Sequence, residues 1–160
     1  MSLPRPLAAL AVAVAVLAFV SGPLVGAVDL TRATPPAGAG QADVSVESVP
    51  DGQIVLERGR FGAGRYHLSA PPAVVSVDSV EGNPVVRYTI DIPELWTTAT
   101  SRYALAGRGG ERLRLRPNPL GISPDRIERD SYEATVAVWL RTGDRERDLV
   151  QRRITIEVER

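Results

Sequence analysis

Catalysis in this sequence could begin at its single histidine. His67 precedes Ser69 by two residues, so a base lies close to a hydroxyl nucleophile. The segment has no Gly-x-Ser-x-Gly turn that would expose the serine and no loop that would bind an oxyanion, and Arg65 lies beside the histidine. We therefore interpret His67 as a surface residue and predict no catalytic residues.

Acidic residues are the second group that could do chemistry. Asp91 and Glu94 could form the carboxylate pair of a glycosidase, although acids that flank a strand end are commonly there for solvation. Because the chain has one histidine and no cysteine, only a calcium site with oxygen ligands is conceivable. The densest acidic cluster, 144–148, has interleaved arginines and no glycine around which a loop could fold. We interpret it as a solvated turn and predict no metal site.

Glycines spaced as Gly-x-x-Gly-x-Gly occur at 59–64. This spacing is neither the dinucleotide fingerprint nor a phosphate-binding loop, and no helix follows it. We interpret the segment as a turn, and we predict no cofactor and no cofactor-binding residues.

A row of arginines is the first candidate binding surface. Arg112, Arg114 and Arg116 alternate with leucines, so a strand would present their guanidinium groups ~7 Å apart on one outward face. That row could bind anionic lipid headgroups, acidic cell-surface glycans or an acidic protein. The alternative is cross-strand pairing with the domain's own carboxylates, for example Asp91 or Glu133.

Trp139 is the second candidate. If Leu140 pairs with Val150 in the last hairpin, Trp139 lies on the outer face opposite Gln151 and beside two cations, Arg141 and Arg153. Stacking on one of these arginines and anchoring of a partner are the two interpretations. The same register directs the charged side chain of Arg152 toward the apolar face of the sheet, which is unfavourable. A bulge near 150–152 would repair it and would make the outward assignment of Trp139 less firm.

Composition excludes several classes of partner and chemistry. The formal net charge is zero, so no overall field attracts nucleic acid, and we predict no nucleic-acid partner. The absence of cysteine removes disulfides, thiolate metal sites and thiol catalysis. All 19 basic residues are arginine, a bias typical of a GC-rich genome.

The N-terminus predicts export. Arg5 precedes an uninterrupted apolar run, 7–20, and small residues at 25–27 match a signal-peptidase site, so 1–27 is a signal peptide. The competing interpretation is an uncleaved membrane anchor, because 7–28 is long enough to cross a bilayer. Either places the rest of the chain outside the cytoplasm, secreted or on the cell membrane. A flexible spacer rich in Pro, Gly and Ala follows over 28–42.

The remainder, 43–160, predicts a single antiparallel β-sandwich of about seven to eight strands. Apolar residues alternate in short segments separated by turn residues, and no long helix is indicated. The segment 130–160 reads as one long hairpin whose apolar face needs a second layer. Segment 94–105 is either a strand through Leu95 and Trp96 or an irregular crossover. The predicted strands are 43–49, 53–57, 65–69, 73–80, 85–92 and 111–116, followed by a helical turn at 124–129 and the hairpin.

The end of the chain resembles a known family. A short helical turn, Asp130-Ser131-Tyr132 at the start of a long alternating strand, and a closing hairpin strand resemble the E to F corner and F to G hairpin of immunoglobulin-like and fibronectin type III-like domains. The resemblance implies that Tyr132 bonds back to upstream backbone. Paired cysteines are absent, and neither tryptophan matches the core tryptophan of immunoglobulins, so the likeness concerns architecture alone.

These features together predict a non-enzymatic interaction or structural module at the cell surface, with a cell-envelope protein or glycan as its partner. The predicted partner-binding residues are Arg112, Arg114, Arg116, Trp139, Arg141 and Arg153. The alternative is a carbohydrate-binding accessory domain, which an exposed Trp96 or Trp139 beside a tyrosine would favour. A hydrolase is the third and most distant alternative, because it needs a carboxylate pocket that the sequence does not indicate.

Overall fold

The computed structural model describes residues 35–59 and 64–160, and this part of the chain is built of β-strands in two sheets. The all-β prediction is confirmed, with ten strands rather than seven or eight in the described residues. The strands are β1 (Gly40–Ser48), β2 (Val55–Arg58), β3 (Tyr66–Ser69), β4 (Ala73–Gly82), β5 (Val85–Ile92), β6 (Thr97–Ala104), β7 (Glu111–Leu115), β8 (Gly121–Ile122), β9 (Ser131–Thr142) and β10 (Arg145–Glu159). Two short 3₁₀ helices, Pro93–Leu95 and Pro124–Arg126, interrupt them.

The smaller sheet has the order β1-β4-β7, and the larger has the order β6-β5-β9-β10-β2-β3-β8. Every pairing is antiparallel except β2 with the end of β10, where Val55 lies opposite Glu157 in a parallel register. The expectation of a purely antiparallel sheet is thus wrong at this one pairing, because β2 crosses from the neighbourhood of β1 to the other layer.

The core lies between the two sheets. Strands β5 and β9 alternate buried and partly exposed residues, which is the pattern of a sheet with one face covered. Val75 and Val77 of β4 pack in the same apolar cluster as Tyr88 and Ile90 of β5, so the two layers share one core. Strands β5 and β9 place the largest number of their side chains there because both lie inside the larger sheet.

The last two strands form the predicted hairpin, which is confirmed, but its register differs from the predicted one. Leu140 lies opposite Arg147 and Val138 opposite Val150, with an irregularity between Asp148 and Val150. Gly143, at φ +62, makes the tight turn, and the pairing differs from the predicted register by three residues next to the turn and by two beyond the irregularity. The bulge comes before Val150 and leaves Arg152 opposite the buried Val136, so it does not repair the inward parity of that arginine.

Tyr132 holds the chain where it enters β9. Its hydroxyl oxygen accepts hydrogen bonds from the backbone N–H groups of Glu128 at 2.8 Å and Arg129 at 3.0 Å. The ring itself is buried among core residues. Tyr132 therefore fastens the loop after the second 3₁₀ helix to the start of β9.

Segment 94–105 is a short 3₁₀ helix followed by a strand. The helix closes a four-residue connection, 93–96, between Ile92 and Thr97, which lie opposite each other in the β5–β6 pairing.

The end of the predicted spacer belongs to the domain. β1 begins at Gly40 and therefore includes residues 40–42, which were predicted to lie in the spacer. Ahead of it, Gly38 N–H donates to the Asn83 carbonyl oxygen at 2.7 Å, so this part of the spacer lies against the domain.

Residues 1–34 and 60–63 lie outside the described range. The predicted export segment, 1–27, the first part of the spacer and the middle of the glycine-rich turn at 59–64 fall there. Within 35–59 and 64–160, no helix has the length and apolar character needed to cross a bilayer.

Candidate functional site

Trp96 is the one large apolar side chain that the described residues leave exposed, with 91% of its surface accessible. Its backbone is left-handed, at φ 48 and ψ 47. For any residue other than glycine this conformation costs ~1–2 kcal/mol. The fold thus holds a tryptophan in a strained backbone with its ring in solvent, where neither the strain nor the exposure contributes to stability.

Local sequence explains how Trp96 is held. Pro93 begins the 3₁₀ helix, and the Trp96 N–H donates to the Pro93 carbonyl oxygen at 2.9 Å. Ile92 and Leu95 are buried on either side of this turn, so both of its ends are fixed to the core. The left-handed residue then reverses the chain into β6, and the ring of Trp96 is directed outward at the tip of this hairpin.

One side of Trp96 borders a depression of about 580 Å³. Asp91 and Thr98, which lie opposite each other on β5 and β6, line it, and the Thr98 hydroxyl donates to Asp91 Oδ1 at 2.6 Å. Pro93 and Trp96 supply apolar surface, and Glu94 also lines the depression. An aromatic ring, a carboxylate and a hydroxyl thus converge on one shallow surface.

The other side of Trp96 borders a more polar depression of about 300 Å³. Glu94 forms an ion pair there with Arg129. Asp125 lies on its rim, and the hydrogen bond that it accepts from the Ser123 hydroxyl holds the pKa of this carboxyl below its usual range. Ser123 therefore contacts Asp125, and its side chain makes no capping hydrogen bond to the 3₁₀ helix.

The carboxylates around Trp96 already have partners. Asp91 accepts a hydrogen bond from the Thr98 hydroxyl, and Glu94 forms an ion pair with Arg129, so both carboxylates are engaged within the domain. In the part of the chain that the structure describes, no three His, Asp or Glu side chains are grouped as metal ligands. Stacking on the indole and hydrogen bonding at its edges are what this surface can offer chemically.

The predicted arginine row lies on the smaller sheet. Arg112 and Arg114 alternate with buried leucines on β7 and are exposed, as the pattern indicates. Arg112 is ion-paired with Glu47 of β1, not with Asp91 or Glu133, which belong to the other sheet. Arg116 follows the end of β7, and its backbone is bonded to the Tyr103 hydroxyl.

Trp139 lies on the outer face of the larger sheet, but its neighbours differ from the predicted ones. The guanidinium group that stacks on its ring belongs to Arg87, 5.2 Å from the ring centroid. Arg87 in turn pairs with Glu146 at 2.9 Å. Opposite Trp139 lies Asp148 rather than Gln151, as a result of the shifted register.

The two remaining predicted residues are separated along the hairpin, because Arg153 lies opposite Thr135, six residues before Arg141 on β9. Arg141, near its tip, is exposed, and its Nε donates to the Gly143 carbonyl oxygen at 3.4 Å. Arg153 is exposed opposite Thr135. Because Arg112 and Arg114 face outward from one sheet and Trp139 from the other, the structure does not bring the six predicted residues together.

Trp96 was missed among the predicted site residues. Its signal was available: it follows Pro-Glu-Leu and precedes a stretch of small polar residues, so no apolar alternation places it in the core. Because apolar alternation is absent around this turn, the sequence did not predict that the Trp96 side chain points into solvent. Comparison with protein-family models, with curated proteins and with solved structures finds no match for this chain.

Proposed function

We propose that this protein is an exported, non-enzymatic binding module whose anchor is Trp96. The observation that carries the proposal is an indole 91% exposed on a left-handed backbone. A strained, non-glycine residue persists where its surroundings over-determine it, and such residues cluster at functional sites. A glycine residue at this position would make the same turn with less conformational strain.

An exposed tryptophan on a rigid hairpin suits binding energetically. Indole rings are enriched among the residues that dominate interfaces, where truncation to alanine typically costs ~2 kcal/mol or more. Because Ile92 and Leu95 fix the turn to the core, little backbone freedom is lost when a partner covers the ring. The two depressions that flank the ring give a partner polar contacts around an apolar centre, which is the usual anatomy of an interface.

The cellular setting is part of the same proposal. An export segment at 1–27, as a cleaved signal or a membrane anchor, and a spacer would present the domain outside the cytoplasm. The partner is then a component of the cell envelope, a protein or a glycan.

We also propose that the architecture is immunoglobulin-like. The support is Tyr132, whose hydroxyl accepts two N–H groups from the residues just upstream, in the manner of the tyrosine corner of that fold. The long hairpin that follows and the two packed sheets are in keeping with it.

Retention on cell-envelope material tests the function. We expect the full chain to be retained on an envelope preparation of the source organism, Trp96→Ala to lose at least tenfold of that retention, and Trp96→Phe to keep part of it. Leu120→Ala, an apolar truncation elsewhere, is the control and should match the wild type. Equal retention of Trp96→Ala and wild type would remove Trp96 from the account.

Carbohydrate binding is the second candidate, and the depression beside Trp96 favours it. A sugar ring could stack on the indole while its hydroxyl groups donate to Asp91 and Glu94. In a Trp139→Phe chain, Trp96 is the remaining tryptophan of the two. Its emission should change on titration with a binding glycan, and Asp91→Asn should weaken that response. Unchanged emission across a panel of neutral and acidic glycans would count against a sugar ligand.

The arginine row at 112, 114 and 116 remains a predicted second binding surface for a partner. Arg112 already forms an ion pair with Glu47, so its guanidinium group is less available to a partner. Replacing Arg112, Arg114 and Arg116 by Gln and measuring retention across a salt series tests it. Retention that is unchanged at every salt concentration would exclude the row.

A further inference from the structure

The two sides of the sandwich differ in how their strand edges are closed. On one side lie the edge strands β6 and β7, and the Tyr103 hydroxyl joins them by donating to the Arg116 carbonyl oxygen at 2.9 Å and accepting its N–H at 2.7 Å. Asn118 Nδ2 adds a bond to the Thr100 carbonyl oxygen at 2.7 Å. Backbone groups that an edge strand would expose are satisfied there by side chains.

The opposite side is open. β1 pairs with β4 on one edge and, in the described part of the chain, with no strand on the other. β10 has 15 residues, but on the side away from β9 it pairs only through 157–159 with β2. The edge of β10 from Arg145 to Ile156 thus presents backbone N–H and C=O groups without a neighbouring strand in the described residues.

Charge is sorted by face along this open edge. Arg147 lies opposite the buried Leu140, and Arg152 opposite the buried Val136, so both point toward the interior of the sandwich, yet both are exposed. Glu146 and Asp148 lie opposite the outward-facing Arg141 and Trp139. Between Arg145 and Arg152, the inward face therefore carries arginines and the outward face the carboxylates.

A groove of about 670 Å³ runs between β1 and the tip of the hairpin. Ala42 and Leu140 form part of its apolar lining, and Arg145 and Arg147 line it from β10. Val150, half-buried, lies between the two inward arginines, opposite Val138. Of the inward arginines, Arg152 has an acidic neighbour, Asp51, at 3.6 Å in an exposed ion pair, a type that contributes little.

We propose that this open edge binds an extended acidic segment of a partner protein, which adds as a strand to β10 and pairs its carboxylates with Arg147 and Arg152. Main-chain hydrogen bonds would supply the affinity and the arginines the specificity, as in other cases of strand addition. The site is separate from Trp96 and goes beyond the function proposed above.

The bulge fixes the spacing that such a segment needs. From Arg147 to Arg152 the opposite strand β9 advances only from Leu140 to Val136, so the two arginines are separated by the length of four regular residues, ~13 Å. Carboxylates four residues apart lie on one face of a strand and match this distance. Carboxylates three residues apart lie on opposite faces and do not.

Two labelled octapeptides of identical composition test the proposal by fluorescence anisotropy with the full chain. In one, glutamates at positions 2 and 6 flank a valine at position 4 in a Ser/Thr background; in the other, the second glutamate stands at position 5. We expect the first to bind at least tenfold more tightly, to weaken as salt rises, and to protect β10 amides from hydrogen exchange. Equal affinity for the two peptides would overturn the proposal.

Charge reversal provides the second arm. Arg147→Glu with Arg152→Glu should abolish binding, Arg147→Gln should weaken it, and Arg102→Glu, a single charge reversal at an exposed position of β6, should leave it unchanged. Inward-pointing charges also guard sheet edges against association. If the wild type binds neither peptide, the proposal is wrong. Sedimentation of Arg147→Gln as a dimer or larger would then show that the arginines only prevent association at this edge.

Discussion

The two tryptophans of the chain lie in opposite surroundings. Trp139 is covered by Arg87, which is itself held by Glu146, so its ring is part of a closed stack within the domain. Trp96 has no such cover, and 91% of its surface meets solvent. The same residue type therefore serves packing at one position and is free for a partner at the other.

Removal of the Arg87 guanidinium should uncover Trp139. In a Trp96→Phe background, which leaves Trp139 as the emitting residue, we expect Arg87→Ala to shift the emission to longer wavelength and to raise quenching by acrylamide. The physical reason is that the cation lies over the ring face and limits access to it. Arg102→Ala, on the neighbouring strand, is the matched control. Identical emission with and without Arg87 would contradict the stack.

Tyr88 has a buried hydroxyl group that finds no partner among the described residues. An unsatisfied buried polar group costs ~1–3 kcal/mol, whereas an apolar replacement of the same shape is neutral or stabilising. We expect Tyr88→Phe to raise the free energy of unfolding by ~1 kcal/mol, measured from urea unfolding. A loss of ~1 kcal/mol or more would show that the hydroxyl has a partner after all.

The same residue should respond to alkali. Burial, with a smaller contribution from Tyr103, raises the pKa of Tyr88 above its ordinary value. Its proton is therefore retained in the folded state at a pH where the unfolded chain releases it. This titration leaves the free energy of unfolding unchanged below the unfolded pKa of ~10 and lowers it above that pH by ~1.4 kcal/mol per pH unit. The chain has no lysine and no cysteine, so Tyr88→Phe should visibly flatten the stability curve between pH 10 and 12.

At the scale of elements, the turn between β5 and β6 stores strain in Trp96. Glycine adopts the left-handed conformation freely, whereas alanine does not. We expect Trp96→Gly to be more stable than Trp96→Ala by ~1 kcal/mol in urea unfolding, although both lose the indole. If the alanine variant were equally stable, the backbone at residue 96 would not be strained.

Tyr132 should contribute more to stability through its hydroxyl than a tyrosine usually does. Tyr132→Phe leaves the N–H groups of Glu128 and Arg129 without their acceptor, and we expect a loss of ~1–3 kcal/mol. Tyr103→Phe, which loses two bonds to the more exposed Arg116, is the comparison and should cost less. If urea unfolding shows that the two variants lose similar amounts of stability, the Tyr132 hydroxyl has no special role at the start of β9.

The elements that the sequence predicts well are those with period-two alternation. β5, 85–92, has the predicted bounds because Val86, Tyr88, Ile90 and Ile92 alternate without interruption. The β9–β10 register was wrong because a tight turn at Gly143 and a bulge after Asp148 are set by local backbone geometry. Apolar parity alone does not encode either.

At the scale of the molecule, sheet order was beyond prediction. The pairing of β2 with β10, and of Arg112 with Glu47, joins residues far apart in the sequence, and alternation does not say which strands become neighbours. For the same reason the predicted binding residues fell on two outer faces. The inward parity of Arg152, by contrast, was visible in the sequence, and the structure keeps it as a feature of the open edge.

Direct observation of Trp96 in the bound state tests the central claim. In the Trp139→Phe chain, the emission of Trp96 should shift to shorter wavelength, and its quenching by acrylamide should fall, when the protein is saturated with the cell-envelope material that retains it. Both changes are expected because a partner would transfer the exposed indole from water into an interface. Material that is demonstrably bound while emission and quenching stay those of the free protein would contradict the account.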